Sequence, residues 1–201
     1  MNNIFFVDVD TQRDFMLSGG ALYVSGAERI IPKLRRIFDF ARKHEISIIS
    51  SVDAHAPGDP EFQQFPPHCV QGTEGQRKLD ETLLPRPLVV PNKPLDRNLM
   101  TIARKHQQII IEKQSLDLFS NPVSERLLRV LPPHAIVFGV TTEYCVKCAC
   151  LGIRRLGVPV ALVTDAIRAL KPKTEKAALE EMRAAGVEFI TMETLLGIGT
   201  V

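Results

Sequence analysis

The stretch at 136–157 reads "IVFGVTTEYCVKCACLGIRRLG" and places a strand-like run directly before a helix-like segment. Its first three residues are branched or aromatic, as in buried strands, and its second half repeats apolar residues at helical spacing. Gly139 and two threonines form the junction, and three of the chain's four cysteines follow it. A strand that leads into a helix in this way is one unit of an α/β fold.

The same alternation continues along the chain on both sides of this unit. Short runs rich in Ile, Val and Phe predict strands at 3–9, 46–52, 107–113, 135–140, 158–164 and 187–191. Helical patterns lie between them near 27–44, 97–106, 121–131, 142–156 and 174–185. Continuous apolar strands are typical of parallel sheets covered on both faces. We therefore expect one domain, 1–201, with an α/β fold: a three-layer α/β/α sandwich around a mostly parallel central sheet.

Composition limits the classes of partner and the compartment. The 25 basic and 23 acidic residues give a net charge of +2, which provides no broad basic surface for nucleic acid. No apolar run approaches the ~20 residues that span a bilayer. The N-terminus lacks the basic start and long apolar region of a secretory signal, and four cysteines at this length do not indicate a disulfide framework. We expect a cytoplasmic protein that binds neither nucleic acid nor membrane.

Polar residues follow four of the predicted strands, at the sheet edge where parallel sheets bind ligands. In chain order these residues are Asp8, Asp10, Asp53, His55, Lys113, Thr141, Thr142 and Cys145. A carboxylate, a lysine and a thiol are therefore predicted to converge beside the loop that follows the second strand.

Cys145 is the cysteine placed for chemistry. With Thr142 as the helix cap, Cys145 lies in the first turn, where backbone N–H groups and the helix dipole favour a thiolate and can donate to an oxyanion. Cys150 shares the apolar face and Cys148 lies a turn beyond Cys145, so both are interpreted as inert core residues. A metal-binding or redox pair of Cys145 and Cys148 is the alternative, although no second cysteine pair supports it.

A thiol nucleophile needs a proton acceptor. Asp10 held next to Lys113 can serve, because the lysine keeps the carboxylate charged. Asp8 and Asp14 compete with Asp10, and Asp8 is expected to face the other side of the sheet. A solvated lysine at a strand end is the plainer interpretation of Lys113.

The loop at 53–75 is long, rich in proline and glycine, and without periodicity, which is typical of functional loops. Asp53 and His55 are two residues apart at a strand end, and His68 can fold back onto them. This set suits zinc, iron or manganese, with Glu61 as a fourth ligand. Polar residues that only cap one another within the loop are the alternative.

Three motifs resemble those of the isochorismatase-like cysteine hydrolases, and in particular of their nicotinamidase (pyrazinamidase-type) branch. The segment "VDVDTQRDF" at 7–15 is similar to the opening Asp-x-Gln-x-Asp-Phe motif. The segments "SVDAHAPGD" at 51–59 and "FPPHCVQGTEG" at 65–75 resemble the metal loop of that branch. The segment "GVTTEYCV" at 139–146 resembles the nucleophile segment. With Lys113, these motifs cover most of the chain in the family's order.

The resemblance implies the roles of the catalytic residues. It implies that Cys145 is the nucleophile, that Asp10 is the general base, and that Lys113 supports both. It also implies a cis peptide bond between Val140 and Thr141, with the N–H groups of Thr141 and Cys145 as the oxyanion hole.

The resemblance further implies a bound metal and an aromatic clamp. Phe15 and Phe65 would sandwich the substrate ring, whose pyridine nitrogen would bind the metal. A divalent ion, zinc first with iron or manganese as alternatives, would be held by Asp53, His55, His68 and, where many relatives have a further histidine, Glu61.

The implied reaction is hydrolysis of nicotinamide to nicotinate and ammonia through a thioester, so the expected partner is a small-molecule amide. A relative acting on another small amide or carbamoyl compound is the nearest alternative. A catalytically silent metal-binding protein of the same fold is the alternative from a different class. Homo-oligomerisation stays open, with Leu151 on the polar face of its predicted helix as a candidate subunit contact.

Overall fold

A seven-stranded sheet forms the centre of the fold in the computed structural model, which describes residues 3–197. The strands are β1 (Ile4–Val9), β2 (Ile48–Asp53), β3 (Leu88–Val90), β4 (Gln108–Lys113), β5 (His134–Val140), β6 (Val160–Arg168) and β7 (Glu188–Ile190). Their order is β3-β4-β2-β1-β5-β6-β7, and every neighbouring pair is parallel. The predicted sheet is thus confirmed and is parallel throughout. The first two and last four residues of the predicted domain lie outside the described range.

Helices cover both faces of this sheet, which confirms the three-layer sandwich. The α-helices are α1 (Arg13–Met16), α2 (Ile31–Lys43), α3 (Leu99–Lys105), α4 (Ser124–Leu128), α5 (Lys147–Arg155), α6 (Pro172–Ala184) and α7 (Met192–Gly197). A 3₁₀ turn at Ala27–Ile30 precedes α2, and a π-helical turn at Thr142–Val146 precedes α5. Within residues 3–197, no helix has the length and apolar character needed to cross a membrane.

Two hydrophobic cores flank the sheet because side chains alternate along each strand. Val7 and Val9 of β1 face one side and pack with residues of α3, α4 and α5. Phe6 faces the other side, with residues of α2 and α7. There its ring meets Phe138 edge to face, with ring centroids 5.9 Å apart. Burial of these branched and aromatic side chains is the main favourable contribution to folding.

The predicted elements are all present, with shifted ends, and three short elements escape the sequence pattern. These three are α1, β3 and α7, which have four, three and six residues and are too short to establish a period. The helix predicted at 121–131 is confined to α4, because the Asn121 side chain accepts a hydrogen bond from the Val123 N–H and forms a turn before it. Leu151, the candidate subunit contact, is half-buried and packs against the hydrophobic core that lies between α5 and the sheet.

Strand β1 lies at the point where the order of the sheet reverses. It pairs with β2 on one side and with β5 on the other, although β5 is far away in sequence. Ligand sites of parallel sheets lie beyond the carboxyl ends of strands at such a reversal. The ends of β1, β2, β4 and β5 therefore define the region in which the predicted site residues meet.

Gly139 allows β5 to pass close to β1. Its φ is +120°, and a Cβ atom there would lie 2.1 Å from the carbonyl oxygen of Val9. We expect Gly139→Ala to lower the free energy of unfolding by roughly 3 kcal/mol or more, because it combines backbone strain with a clash. Urea denaturation measures this loss.

Gly157→Ala is the matched control for this substitution. Gly157 also has a positive φ, +78°, but a Cβ there would have nothing within 4 Å. The control therefore reports the backbone strain alone, about 1 kcal/mol. Equal losses for the two variants would contradict the close approach of β5 to β1.

Candidate active site

Lys113, the last residue of β4, is the centre of the site. Its side chain is fully buried, and its Nζ lies 2.9 Å from Asp10 Oδ2 and 3.6 Å from Cys145 Sγ. The same ammonium group forms an ion pair with Asp53 Oδ1. The structure thus brings together the ends of β1, β2, β4 and β5, and Lys113 is not a solvated strand-end lysine.

Asp10 follows β1 in a left-handed backbone conformation, with φ +50°. Ser51 Oγ donates a hydrogen bond of 2.6 Å to its Oδ1. Its Oδ2 faces Lys113 but has no well-aligned hydrogen-bond donor among residues 3–197. This oxygen is consequently free to accept a proton from a neighbouring thiol.

The two competing carboxylates are engaged elsewhere. Alternation along β1 puts Asp8 on the face opposite to the one against which Cys145 packs, as expected. Asp14 accepts hydrogen bonds from the N–H groups of Ala21 at 3.0 Å and Cys69 at 2.7 Å, and so fastens two loops. Asp10 is the carboxylate that remains beside the thiol.

Cys145 lies in the π-helical turn that follows β5. The Val140–Thr141 peptide bond is cis. Thr141 caps the turn, because its Oγ1 lies 3.5 Å from the Cys145 nitrogen and accepts its hydrogen bond. Thr142 as the cap is therefore wrong: a π-helical turn is wider than an α-helical one, so the cap lies one residue earlier.

Burial raises the pKa of the Cys145 thiol well above its ordinary value, although the Lys113 ammonium opposes this shift. Desolvation of this residue, which is 4% exposed, therefore opposes the thiolate that the start of the helix favours. Burial also raises the pKa of Asp10, again against the charge of Lys113. For Lys113 itself, the carboxylates of Asp10 and Asp53 outweigh burial and raise its pKa, so it stays an ammonium ion.

Asp53, His55 and His68 form a buried cluster whose ligand-type atoms all lie within 4.8 Å of one another. Asp53 Oδ2 is 3.8 Å from His55 Nε2 and 3.6 Å from His68 Nε2, distances too long for hydrogen bonds. Ligands held roughly 2.0–2.2 Å from a zinc ion lie at about this separation from one another. Burial raises the pKa of Asp53, but the Lys113 charge together with the contacts from His55 and His68 outweighs burial and holds that pKa well below its usual range. A charged carboxylate and two imidazoles thus fit a divalent metal.

Contacts outside the cluster orient both imidazole rings. His68 Nδ1 lies 2.8 Å from the carbonyl oxygen of Pro66, and His55 Nδ1 lies 3.1 Å from Asp59 Oδ2. The contact to Pro66 leaves Nε2 of His68 for a metal, and neither ring nitrogen of His55 has a hydrogen-bond partner in the described part of the chain. Glu61 Oε1 is 3.9 Å from His68 Nε2, at the edge of the cluster.

Gln12 is a site residue that the sequence reasoning missed. Its Nε2 donates to the carbonyl oxygens of Asp53 and Gln76, both at 2.8 Å, and its Oε1 accepts from the Asp53 N–H at 2.7 Å. One side chain thereby holds the backbone of the cluster's carboxylate from both sides. The signal that could have identified it is its place in the Asp-x-Gln part of the motif at 7–15.

A narrow cavity lies between the thiol and the Asp53 cluster, and Phe15 and Phe65 both line it. Four wall residues were not predicted, namely Leu22, Leu116, Tyr144 and Leu170. The rings of Tyr144 and Phe65 meet edge to face, with centroids 5.6 Å apart. Tyr144 could have been found from its position directly before the nucleophile candidate, whereas the three leucines come from loops without a pattern.

The fold and the residues at its carboxyl edge define the class of protein. The isochorismatase-domain family model matches residues 5–194. The chain therefore belongs to the isochorismatase family.

Individual relatives place the chain in the nicotinamidase branch of that family. The nicotinamidase of Escherichia coli is 27% identical over 211 residues, covering 92% of both chains. The nicotinamidase/pyrazinamidase of Mycobacterium tuberculosis is 27% identical over 196 residues, covering 90% of this chain and 95% of the relative. The crystal structure of Pyrococcus horikoshii pyrazinamidase in complex with zinc has a TM-score of 0.78 and 28% identity, covering 94% of this chain and 99% of that one. The protein is accordingly an amidohydrolase that acts on a C–N amide bond.

The raised pKa of Cys145 predicts how its alkylation depends on pH. Below the pKa of a thiol, the thiolate fraction grows tenfold for each pH unit. Because burial moves the pKa above the ordinary value of 9.0, the rate of labelling by iodoacetamide should rise through pH 9 without a plateau. Mass spectrometry of the Cys145 peptide measures this rate, and the urea-unfolded chain, whose cysteines are not desolvated by burial, is the control. A plateau below pH 8 in the folded protein would contradict the raised pKa.

Proposed function

We propose that the protein hydrolyses nicotinamide to nicotinate and ammonia through a thioester on Cys145. The observation that carries this proposal is the contact of Lys113 with both Asp10 and Cys145, beside a cavity lined by two phenylalanines. The named activities of the relatives from Escherichia coli and Mycobacterium tuberculosis support it.

Acylation begins with a neutral thiol. Asp10 takes the proton from Cys145 while the sulfur attacks the carboxamide carbon, because the thiol's raised pKa leaves little thiolate beforehand. Lys113 keeps its charge and balances the negative charge that passes between sulfur and carboxylate. The N–H groups of Thr141 and Cys145 donate to the oxygen of the tetrahedral intermediate, for which the Cys145 N–H gives up its long hydrogen bond of 3.5 Å to Thr141 Oγ1.

Acylation ends when Asp10 returns the proton to the amide nitrogen, the C–N bond breaks, and ammonia leaves a thioester on Cys145. In deacylation, Asp10 takes a proton from water, whose oxygen attacks the thioester carbon, and the C–S bond breaks. Asp10 then gives this proton to the departing sulfur. The products are the thiol and a carboxylic acid that loses its proton to solvent, so the enzyme regains its starting state.

The remaining residues of the site bind and orient the substrate. Phe15 and Phe65 contact the two faces of the ring. Asp53, His55, His68 and Glu61 would hold a divalent ion, zinc with iron or manganese as alternatives, which would supply a Lewis acid for the pyridine nitrogen. Orientation of the ring brings the carboxamide next to Cys145, which is a contribution of proximity.

A reducing compartment suits this mechanism, which requires a free thiol. All four cysteines of the chain, including Cys145, are free. We therefore assign the protein to the cytoplasm, where thiols stay reduced.

Cys145→Ala tests the nucleophile and the reaction together. Wild-type protein loaded with zinc should release ammonia from nicotinamide, and the variant should lose at least about 10³-fold in kcat because no thioester can form. Cys148→Ala, which alters a half-buried cysteine of the next turn, is the matched control and should retain activity. Equal turnover by Cys145→Ala and wild type would overturn the proposed mechanism, and an inactive wild type would overturn nicotinamide as substrate.

His55→Ala tests the metal site. Metal analysis of wild type purified with zinc should find about one ion per chain, and the variant should lose most of it because it lacks one of the two imidazole ligands. KM for nicotinamide should rise at least roughly tenfold, since the ring loses its anchor. His134→Ala, at an exposed histidine that begins β5, is the control. An unchanged zinc content in His55→Ala would count against the cluster as the metal site.

A further inference from the structure

A second buried lysine lies beneath the active site and takes no part in the proposed reaction. Lys78 is 6% exposed and Asp8 is fully buried, and Lys78 Nζ lies 2.6 Å from Asp8 Oδ2. Ser50 Oγ also donates to this carboxylate oxygen, at 2.8 Å. Buried ion pairs often add little stability over apolar side chains of similar volume. Stability alone therefore does not explain why this ion pair is buried here.

The segment that carries Lys78 runs along the turn that follows β1. The N–H of Leu79 donates to the carbonyl oxygen of Thr11 at 3.1 Å, and the N–H of Arg13 donates to the carbonyl oxygen of Arg77 at 2.9 Å. Lys78 itself pairs with Gln12 in an antiparallel bridge. The backbone of the turn is thus held on one side by this segment and on the other by the sheet.

The Thr11 side chain connects the ion pair to the turn. Its hydroxyl accepts a hydrogen bond of 2.7 Å from Lys78 Nζ and donates one of 2.9 Å to Asp8 Oδ1. Both members of the ion pair therefore bind the same hydroxyl group, which is fully buried. If Thr11 rotated away from this position, its hydroxyl, Lys78 and Asp8 would each lose a hydrogen bond inside the core, which costs free energy.

Thr11 directly follows Asp10, whose backbone has the left-handed φ of +50°. A non-glycine residue keeps such a conformation only when its surroundings determine it on both sides. Val9 before Asp10 is fixed in the sheet, and Thr11 after it is fixed by Lys78 and Asp8. The direction of the Asp10 carboxylate depends on both anchors.

We propose that Lys78, acting with Asp8 through Thr11, is a positioning residue that keeps the Asp10 carboxylate at Lys113 and Cys145. This inference rests on the proposed function in taking Asp10 as the base of amide hydrolysis. The ion pair of Lys78 and Asp8 should then affect proton transfer by Asp10. It should not affect binding of the substrate ring, because neither Lys78 nor Asp8 lines the cavity.

The double variant Asp8→Leu/Lys78→Met tests this role, because it removes both charges and keeps similar volumes. We expect kcat to fall about 10- to 100-fold, as for a displaced catalytic group, while KM and zinc content change less than about twofold. Thr11→Val is the second variant: it keeps the ion pair and the shape of the side chain but removes the connecting hydroxyl. It should show the same decrease in kcat without a rise in KM. It also keeps the proposal testable if the double variant does not fold.

Lys33→Met is the matched control for the loss of an ion pair. Lys33 Nζ lies 2.7 Å from Asp165 Oδ2 and joins α2 to β6 away from Asp10. This variant should lower the melting temperature and leave kcat unchanged. A decrease in kcat as large as that of Thr11→Val would overturn the proposal.

Two further outcomes would overturn the positioning role. One is an unchanged kcat in both test variants, which would make the ion pair purely structural. The other is a fall in kcat together with a rise in KM and a fall in zinc content, which would place the effect in the metal loop.

A crystal structure of Thr11→Val gives a readout that does not depend on the substrate. If Asp10 keeps its φ and its 2.9 Å contact with Lys113 there, the proposal fails even where nicotinamide proves not to be the substrate.

Discussion

The ammonium group of Lys113 is the interaction on which the site depends. It is buried away from water, so its charge is tolerable only because Asp10 and Asp53 both lie against it. These three residues end three different strands, and their mutual attraction fixes how those strand ends meet. The same cation serves two groups with different tasks, since Asp10 faces the thiol and Asp53 faces two histidines. The Asp10–Cys145 part of the site and the cluster of Asp53, His55 and His68 therefore share the positive charge of Lys113.

The topology of the sheet explains why Asp10, Asp53 and Lys113 meet at the strand ends. Strands covered on both faces leave room for apolar side chains along most of their length. Beyond their carboxyl ends the helices diverge, and the strand order reverses at β1, which opens a crevice. Asp10, Lys113 and Cys145 lie at or just beyond three of these strand ends. Gly139 brings β5 close enough to β1 for the thiol and the carboxylate to share it.

The residues at strand ends could be predicted from the sequence, and residues whose role depends on tertiary packing could not. Parallel strands align their ends, so Asp10, Asp53 and Lys113 converge whatever the details of the loops. Gln12 acts through backbone contacts that no periodicity indicates. The raised pKa of Cys145 could not be predicted, because local sequence shows the start of a helix and does not show how far the sulfur is desolvated. Short elements such as α1 and β3 are likewise formed by packing and carry little pattern of their own.

A neutral resting thiol has a consequence for selectivity. A preformed thiolate reacts with any electrophile that reaches it, including oxidants. In the proposed mechanism the proton leaves Cys145 only as the sulfur attacks a carbonyl carbon, with Asp10 as its acceptor and Lys113 to balance the charge that develops. Attack in this mechanism is productive when an oxyanion forms next to the N–H groups of Thr141 and Cys145. The proposal therefore links burial of the thiol to selectivity: reaction is restricted to an amide held in the cavity, a form of specificity that does not depend on tight binding.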